Sequence, residues 1–338
     1  MKKMILFLSC AFLLFGCDKY DANDIITEMD KKIKNSKNYQ MNAVLEIYRN
    51  EEKFVYDVIS TYKEKEFYKV ELINKENNHK QIILKNLESV YVLTPSLNKS
   101  FKFQSEWPYN NSQIYLIQPI MLDLKNDENR KYEKFDKGYI ITSDVNYTSE
   151  KDFKKQKVYF DLENNIQKVE VTDSKDNIKM KLDVINLQYN IKLDSDFFSI
   201  NKYLDNMNYS ENTKNDSNTS SDKKSNKTLN DIVYPMYVPT DTYLASQDVI
   251  NTDSGERVIL TFVGDTEFTL IQEKTSDNEN VSFVYGDPYL ILDTIGTVTD
   301  YSVSWISHGV EYSVISDKMS VDELLTVAQS IKVETVGK

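Results

Sequence analysis

Cys17 is the residue of this chain best placed to do chemistry. It follows Leu14-Phe15-Gly16 and closes an N-terminal stretch made of Met1-Lys2-Lys3 and a largely apolar run from Met4 to Phe15. A positive start, a short apolar middle and a small residue at the cut form a secretory signal, residues 1–16. As a helix, at roughly 1.5 Å per residue, the run spans about 20 Å, well short of a hydrocarbon core of about 30 Å. It is therefore too short to be an anchor helix. The other thiol, Cys10, lies inside this removed segment. Apart from Cys17 itself, the processed chain has no thiol, hence no disulfide, no cysteine nucleophile and no thiolate metal site.

Other catalytic chemistry is poorly represented. His79 stands in the polar turn Asn77-Asn78-His79-Lys80, and His308 in a turn beside Gly309; each reads as a solvated turn residue. There is no nucleophile elbow with Ser-His-Asp partners and no metal-type histidine spacing, so no catalytic residue, metal ligand or cofactor is assigned. Asp and Glu fall on alternating wet faces, with no pair singled out for acid–base work, and Asp123 to Arg130 reads as a solvated loop. The sequence predicts a protein that is not an enzyme. A net charge of −12, made two more negative by loss of Lys2 and Lys3, disfavours nucleic acid, whose binding needs cations to displace counterions. It also disfavours an anionic membrane surface.

The best binding candidate within the body is Ser112 to Leu124. Ile114, Ile117, Met121 and Leu124 recur at helical spacing, and Pro119 should kink or divide the helix. Two readings fit: these side chains line a lid over an apolar groove that takes an acyl chain or a partner's apolar side chains, or they are ordinary packing beneath a closed lid. Trp107 and Trp305 read as packing anchors.

The elements that must hold this segment are mostly strands. Asp18 to Ala22 forms a polar tether (residues 17–22 with the cysteine), and Asn23 or Asp24 caps a helix carrying Ile25, Ile26, Met29 and Ile33. From Tyr39 the period becomes two: Tyr39, Met41, Ala43, Leu45 and Ile47 alternate with polar residues. Similar runs follow at Phe54–Val58, Tyr68–Leu72, Ile82–Leu84, Val90–Leu93 and Phe101–Phe103. After the helical insert they resume at Tyr139–Tyr147, Val158–Leu162, Val169–Val171, Ile178–Val184 and Leu187–Leu193. One wet and one buried face implies an antiparallel sheet, and nine or ten such strands should curl into a barrel or a strongly curved sheet. Residues 23–205 form this domain. The polar, Asn/Ser/Lys-rich residues 206–228 predict a disordered linker. Residues 229–338 predict a small α+β domain. It has a proline-stiffened lead-in at Tyr234–Pro239, strands at Val258–Val263, Glu267–Gln272, Val281–Tyr285, Tyr301–Ile306 and Ser313–Ile315, and a helix opened by the capping box Ser320–Glu323.

Leu14-Phe15-Gly16-Cys17 resembles the lipobox of bacterial lipoproteins. That resemblance implies that Cys17 is acylated, becomes the first mature residue and holds the protein on the extracytoplasmic face of the cell membrane. Two or more chains at about 0.8 kcal/mol per buried CH₂ would make the attachment stable. Asp18 resembles the signal that keeps lipoproteins at the inner membrane in two-membrane bacteria. The helix, the long meander and the apolar insert, with Leu87-Glu88-Ser89-Val90-Tyr91-Val92-Leu93-Thr94-Pro95 as a strand ending at proline, resemble the LolA and RseB superfamily. The implied fold is mainly β with α: an open half-barrel of antiparallel strands, with covering helices over an apolar concave face. Trp305, Gly309-Val310-Glu311-Tyr312 and the Ser320–Ile331 helix resemble a small domain of Firmicute envelope lipoproteins and anti-sigma factors. Together these resemble sporulation and germination lipoproteins of the GerS-like type, whose partner is the cortex amidase CwlD. The implied function is binding of an apolar ligand or of a protein such as a cell-wall amidase. Alternatives are a LolA-type lipid or lipoprotein carrier, and an RseB-like stress sensor acting on an anti-sigma factor.

Overall fold

The computed structural model describes residues 20–49, 52–147, 150–204, 229, 231–252, 255–275 and 282–332. The signal 1–16, Cys17 and the linker 206–228 lie outside the described residues. No described helix is long and apolar enough to cross a membrane.

Helix α1 (Ala22–Asn35) starts two or three residues before its expected position, because Asp21 and not Asn23 or Asp24 is its cap. The Asp21 carboxylate accepts the Asn23 and Asp24 N–H groups at 2.7 and 3.3 Å, and Asp24 accepts the Asp21 N–H at 2.8 Å. This reciprocal box satisfies donors that a helix start otherwise leaves open. The expected tether is thereby shortened, with Tyr20 already packed against Tyr139 at 5.4 Å.

The meander follows as β1 (Asn38–Arg49), β2 (Glu52–Lys63), β3 (Phe67–Asn74), β4 (Lys80–Lys85), β5 (Val90–Thr94) and β6 (Lys99–Gln104). Helix α2 (Ile117–Asn126) interrupts it. Then come β7 (Lys131–Phe135), β8 (Gly138–Asp144), β9 (Lys155–Phe160), β10 (Ile166–Thr172) and β11 (Ile178–Tyr189). The sheet runs β6-β5-β4-β3-β2-β1-β11-β10-β9-β8-β7, antiparallel throughout, and stays open. Mainly β structure in an open sheet, with α1 and α2 sharing its main core, is the architecture that the resemblance to the LolA and RseB superfamily implies. Tyr39, Met41, Ala43, Leu45 and Ile47 are all buried, as their alternation requires.

Three local expectations change. The two runs Ile178–Val184 and Leu187–Leu193 belong largely to one strand, β11. Asn42 pairs with Asn186 and Ala43 with Val184, so Ile185 is an extra, exposed residue. A one-residue bulge reverses the inward parity, which makes one bent strand look like two. Helix α2 begins at Ile117 and not at Ser112. Pro119 sits in its first turn, where its missing N–H costs no helical bond, so it neither kinks nor divides the helix. The same helix continues through Asp123 to Asn126, so the expected Asp123–Arg130 loop starts only at Asp127.

The expectation of one wet face also fails over β4 and β5. Ile83, Val90 and Val92 face the main core, while Ile82, Leu84, Tyr91 and Leu93 face the other way and are equally buried. Leu193, Phe197, Phe198, Ile200 and Tyr203 fold back over them. This covering explains why Val90–Leu93 reads as a continuous apolar run.

The C-terminal region builds a second, seven-stranded sheet from β12 (Thr242–Asn251), β13 (Glu256–Gly264), β14 (Phe268–Lys274), β16 (Asp287–Ile291), β17 (Thr294–Val298), β18 (Ser302–Ser307) and β19 (Val310–Ile315), in the order β12-β13-β14-β19-β18-β17-β16. Helix α3 (Val321–Gln329) packs on it through Leu324, Leu325 and Ala328, with both capping-box bonds in place. The run expected to join this domain at Val281–Tyr285 does not. As β15 (Ser282–Tyr285) it pairs in parallel with β6 and adds a twelfth strand to the large sheet. Gly286 then turns the chain from one sheet to the other at φ +100, where a Cβ would meet the Val298 carbonyl at 2.3 Å.

Candidate functional site

Helix α2 and the segment leading into it are held onto the sheet by polar bonds. The Tyr39 hydroxyl donates to Gln118 Oε1 at 2.6 Å and accepts the Ile117 N–H at 3.4 Å. It serves the N-terminus of α2, whose cap residue Leu116 offers no side-chain acceptor. Ser60 Oγ donates to the Tyr115 carbonyl at 2.8 Å, and Gln156 Nε2 to the Ile120 carbonyl at 3.2 Å. The four residues singled out from sequence, Ile114, Ile117, Met121 and Leu124, are each 2% exposed or less. They lie together in the main core, and of the four Ile114 borders the cavity at the mouth of the half-barrel.

That cavity sits at the mouth of the half-barrel, between Leu45, Ile47, Ile114, Met180 and the hairpin β16–β17, and has a volume of about 40 Å³. This is room for a water molecule or two, against some 300 Å³ or more for an ordinary small-molecule site. The mouth is filled by the chain itself. Ile295 belongs to the half-barrel core, and Leu290 and Val284 pack against it.

The hairpin is also held by directed bonds. Arg49, at the end of β1, lies 2.7 Å from Glu150 and donates to the Leu290 carbonyl at 3.1 Å. Tyr289 donates to the same Glu150 oxygen at 2.7 Å, and Gln329 of α3 reaches it at 3.3 Å. Tyr56 donates to the Leu292 carbonyl at 2.9 Å. The Gln81 amide both accepts the Ile295 N–H and donates to the Ile295 carbonyl, which is the bonding of a missing strand supplied by one side chain. Ser105 donates to Asp287 on β16.

Burial sets the electrostatics of this seam. It would lower the Arg49 pKa, but Glu150 and the Tyr289 and Tyr56 hydroxyls outweigh it, so the guanidinium is held charged more firmly than usual. Burial, then the Glu150 charge, drives Tyr289 far above the ordinary tyrosine range, and burial does the same to Tyr56. These hydroxyls are donors at neutral pH, not bases or nucleophiles. On α2 itself, burial raises the Asp123 carboxyl to about 6, although Ser112 donates to it at 2.7 Å.

The histidines take no part in the seam's bonding. His308 lies in an exposed turn beside Ser307. His79 is half-buried, against the expectation of a solvated turn, and burial lowers its pKa. Trp107 and Trp305 are buried, the first edge-on to Tyr68 and the second stacked on Tyr312. Among the described residues no group of three or more His, Cys, Asp or Glu is placed to hold a metal ion. The seam residues Arg49, Glu150 and Tyr289 escape a sequence reading aimed at catalytic sets. The available signal is that Arg49 is one of three arginines, with Arg130 and Arg257, in a chain that otherwise uses lysine; arginine is preferred where a buried cation must serve several acceptors.

No family model matches the sequence. Among solved structures, MucB of Pseudomonas aeruginosa in its complex with MucA overlaps 93% of this chain and 100% of its own, at 9% identity and a TM-score of 0.33. A LolA-superfamily protein of Nitrosomonas europaea overlaps 54% of this chain and 100% of its own, at 12% identity and a TM-score of 0.32. The complex of the CwlD amidase with the GerS lipoprotein of Clostridioides difficile overlaps 51% of this chain and 97% of that one, at 18% identity and a TM-score of 0.30. The sporulation protein YdcC of Bacillus subtilis (strain 168) is 33% identical over 333 residues, which is 96% of this chain and 94% of YdcC. With that identity spanning both sheets and the seam between them, the chain belongs to the family of the sporulation protein YdcC.

Proposed function

We propose that this protein is a non-enzymatic binding protein of the cell envelope, tethered through an acylated Cys17, that acts in sporulation by engaging a protein partner. The reading rests on the filled mouth. A cavity of about 40 Å³ at the half-barrel opening does not accommodate an acyl chain, which favours a protein partner over a carried lipid. The kinship with a sporulation protein supports the cellular setting. A cell-wall amidase is the partner class that the likeness to GerS-like lipoproteins implies.

Affinity isolation of the full chain from membranes of sporulating cells tests this, with protein and lipid analysed in the same eluate. Stoichiometric recovery of one envelope protein, retained in high salt and depleted from a strain lacking this chain, supports the reading. Recovery of stoichiometric acyl lipid without protein overturns it in favour of a LolA-type carrier. Recovery of an anti-sigma factor assigns the sensor role instead.

A further inference from the structure

Strand β12 is an edge strand of ten residues, and residues 243–251 are all exposed. No described residue pairs with its outer edge. Natural sheets guard such edges with charged side chains (lysine above all), proline, short length, a β-bulge or a covering element, and of these β12 has one charge and one bulge, at Ala245. Thr242–Asn251 has no lysine, arginine or proline, and Asp248 is its one charge. Helix α3 lies over β16, β18 and β19, while β12 is reached by the Tyr234 hydroxyl, which donates to Gln247 Oε1 at 2.5 Å. The strand instead exposes four large apolar side chains: Tyr243 at 64%, Leu244 at 40%, Val249 at 52% and Ile250 at 42%.

The order of these residues is self-complementary. Opposite the buried Phe262, Leu260 and Val258 lie Leu244, Gln247 and Val249, which therefore share the core-side face. Tyr243, Ser246, Asp248 and Ile250 share the other face. A bulge at Ala245 separates Leu244 from Ser246 and preserves this assignment. We propose that β12 is a homodimer interface, in which two copies pair antiparallel about a two-fold axis at Gln247. In that register Gln247 meets Gln247 of the second copy, and Ser246, which donates to Asp248 of its own strand at 3.0 Å, lies opposite Asp248 of the other copy. Both Ala245 bulges drop out of the ladder. Leu244 then meets Val249 and Tyr243 meets Ile250, apolar against apolar on matching faces. Shifting the register by one residue would break every one of these matches. The pairing joins two seven-stranded sheets into one and removes both open edges. An isologous contact requires such self-complementarity, and an unrelated partner would not select for it. The proposal is independent of the tethered-binder reading.

Sedimentation of the detergent-solubilised full chain and of Leu244→Lys, Val249→Glu and the double variant tests the register. The wild type should dimerise. Each single variant should weaken the dimer about tenfold or more, since each change acts twice by symmetry. The double variant should restore it, because the two new side chains then face each other across the axis with opposite charge. Both positions are exposed, so melting temperatures should stay near the wild type. In native membranes, Gln247→Cys should form an interchain disulfide on oxidation, because residues facing each other across an antiparallel pair lie about 4.5–5.5 Å apart at Cα, within disulfide range. The equally exposed Lys175→Cys should not. A monomeric wild type at 100 µM without the Gln247→Cys cross-link overturns the proposal, as does a dimer that neither single variant weakens.

Discussion

Arg49 Nη2 and Glu150 Oε1 are 2.7 Å apart, with side chains 8% and 16% exposed, and this pair locks the second domain into the mouth of the first. Arg49 binds the hairpin directly through the Leu290 carbonyl, and Glu150 does so through the Tyr289 hydroxyl. Removing one partner strands the other in a poorly solvated place. Arg49→Met should cost about 3 kcal/mol, the low end for a broken buried pair because Glu150 keeps its Tyr289 bond. Chemical denaturation reads the loss, and hydrogen exchange should rise first at residues 287–298. Unchanged exchange there would mean that apolar packing of Leu290 and Ile295 holds the hairpin alone.

Asp123 ties stability to pH. Its folded pKa of about 6 lies above the ordinary 3.8, so the folded state holds the proton more tightly than the unfolded chain. This contribution is complete below about pH 4 and is lost as pH rises through about 6. At pH 7 the ionised carboxylate costs on the order of 2–3 kcal/mol. Asp123→Asn keeps an acceptor for Ser112, so the variant should be more stable than the wild type at pH 7 and equal to it below pH 4. Melting curves across that range check the sign.

Met121 separates lid packing from ligand binding. It is 1% exposed within the main core and does not border the mouth cavity. Met121→Ala should destabilise by about 2–4 kcal/mol through the transfer and cavity terms together. Partner recovery should be unaffected at temperatures where the variant remains folded. A selective loss of binding without loss of stability would identify the lid as a contact surface.

The proposed membrane attachment rests on one sulfur. Cys17→Ala should move the protein from the membrane fraction to the soluble extracytoplasmic fraction, because the remaining chain carries an acidic excess and no described helix spans a bilayer. The mass of the native mature N-terminus should show a diacylglycerol modification. An unmodified N-terminus would remove the tether from the account.

Local rules carried much of this fold before any contact was visible. The alternation from Tyr39 to Ile47, the repeated strand lengths and the Ser320–Glu323 box act within a few residues, so period and capping expose them. A mainly β, antiparallel sheet that curls follows from summing such short-range signals; that it is an open half-barrel is what the resemblance to the LolA and RseB superfamily implies. Strand β12 left no such signal: with both faces exposed and a bulge at Ala245, it has no apolar period to detect.

Tertiary contacts alone decided the rest, because they join residues far apart in the chain. Only the partner strand reveals that Ile185 is surplus in β11, and only the returning Phe197–Tyr203 segment buries the outer face of β4 and β5. The transfer of β15 to the large sheet and the meeting of Arg49, Glu150 and Tyr289 arise across separations of more than a hundred residues. Spacing encodes a face, but it cannot encode which distant surface will cover that face. The apolar character of Ser112–Leu124 was therefore legible, and the filling of the neighbouring mouth by the protein's own hairpin was not.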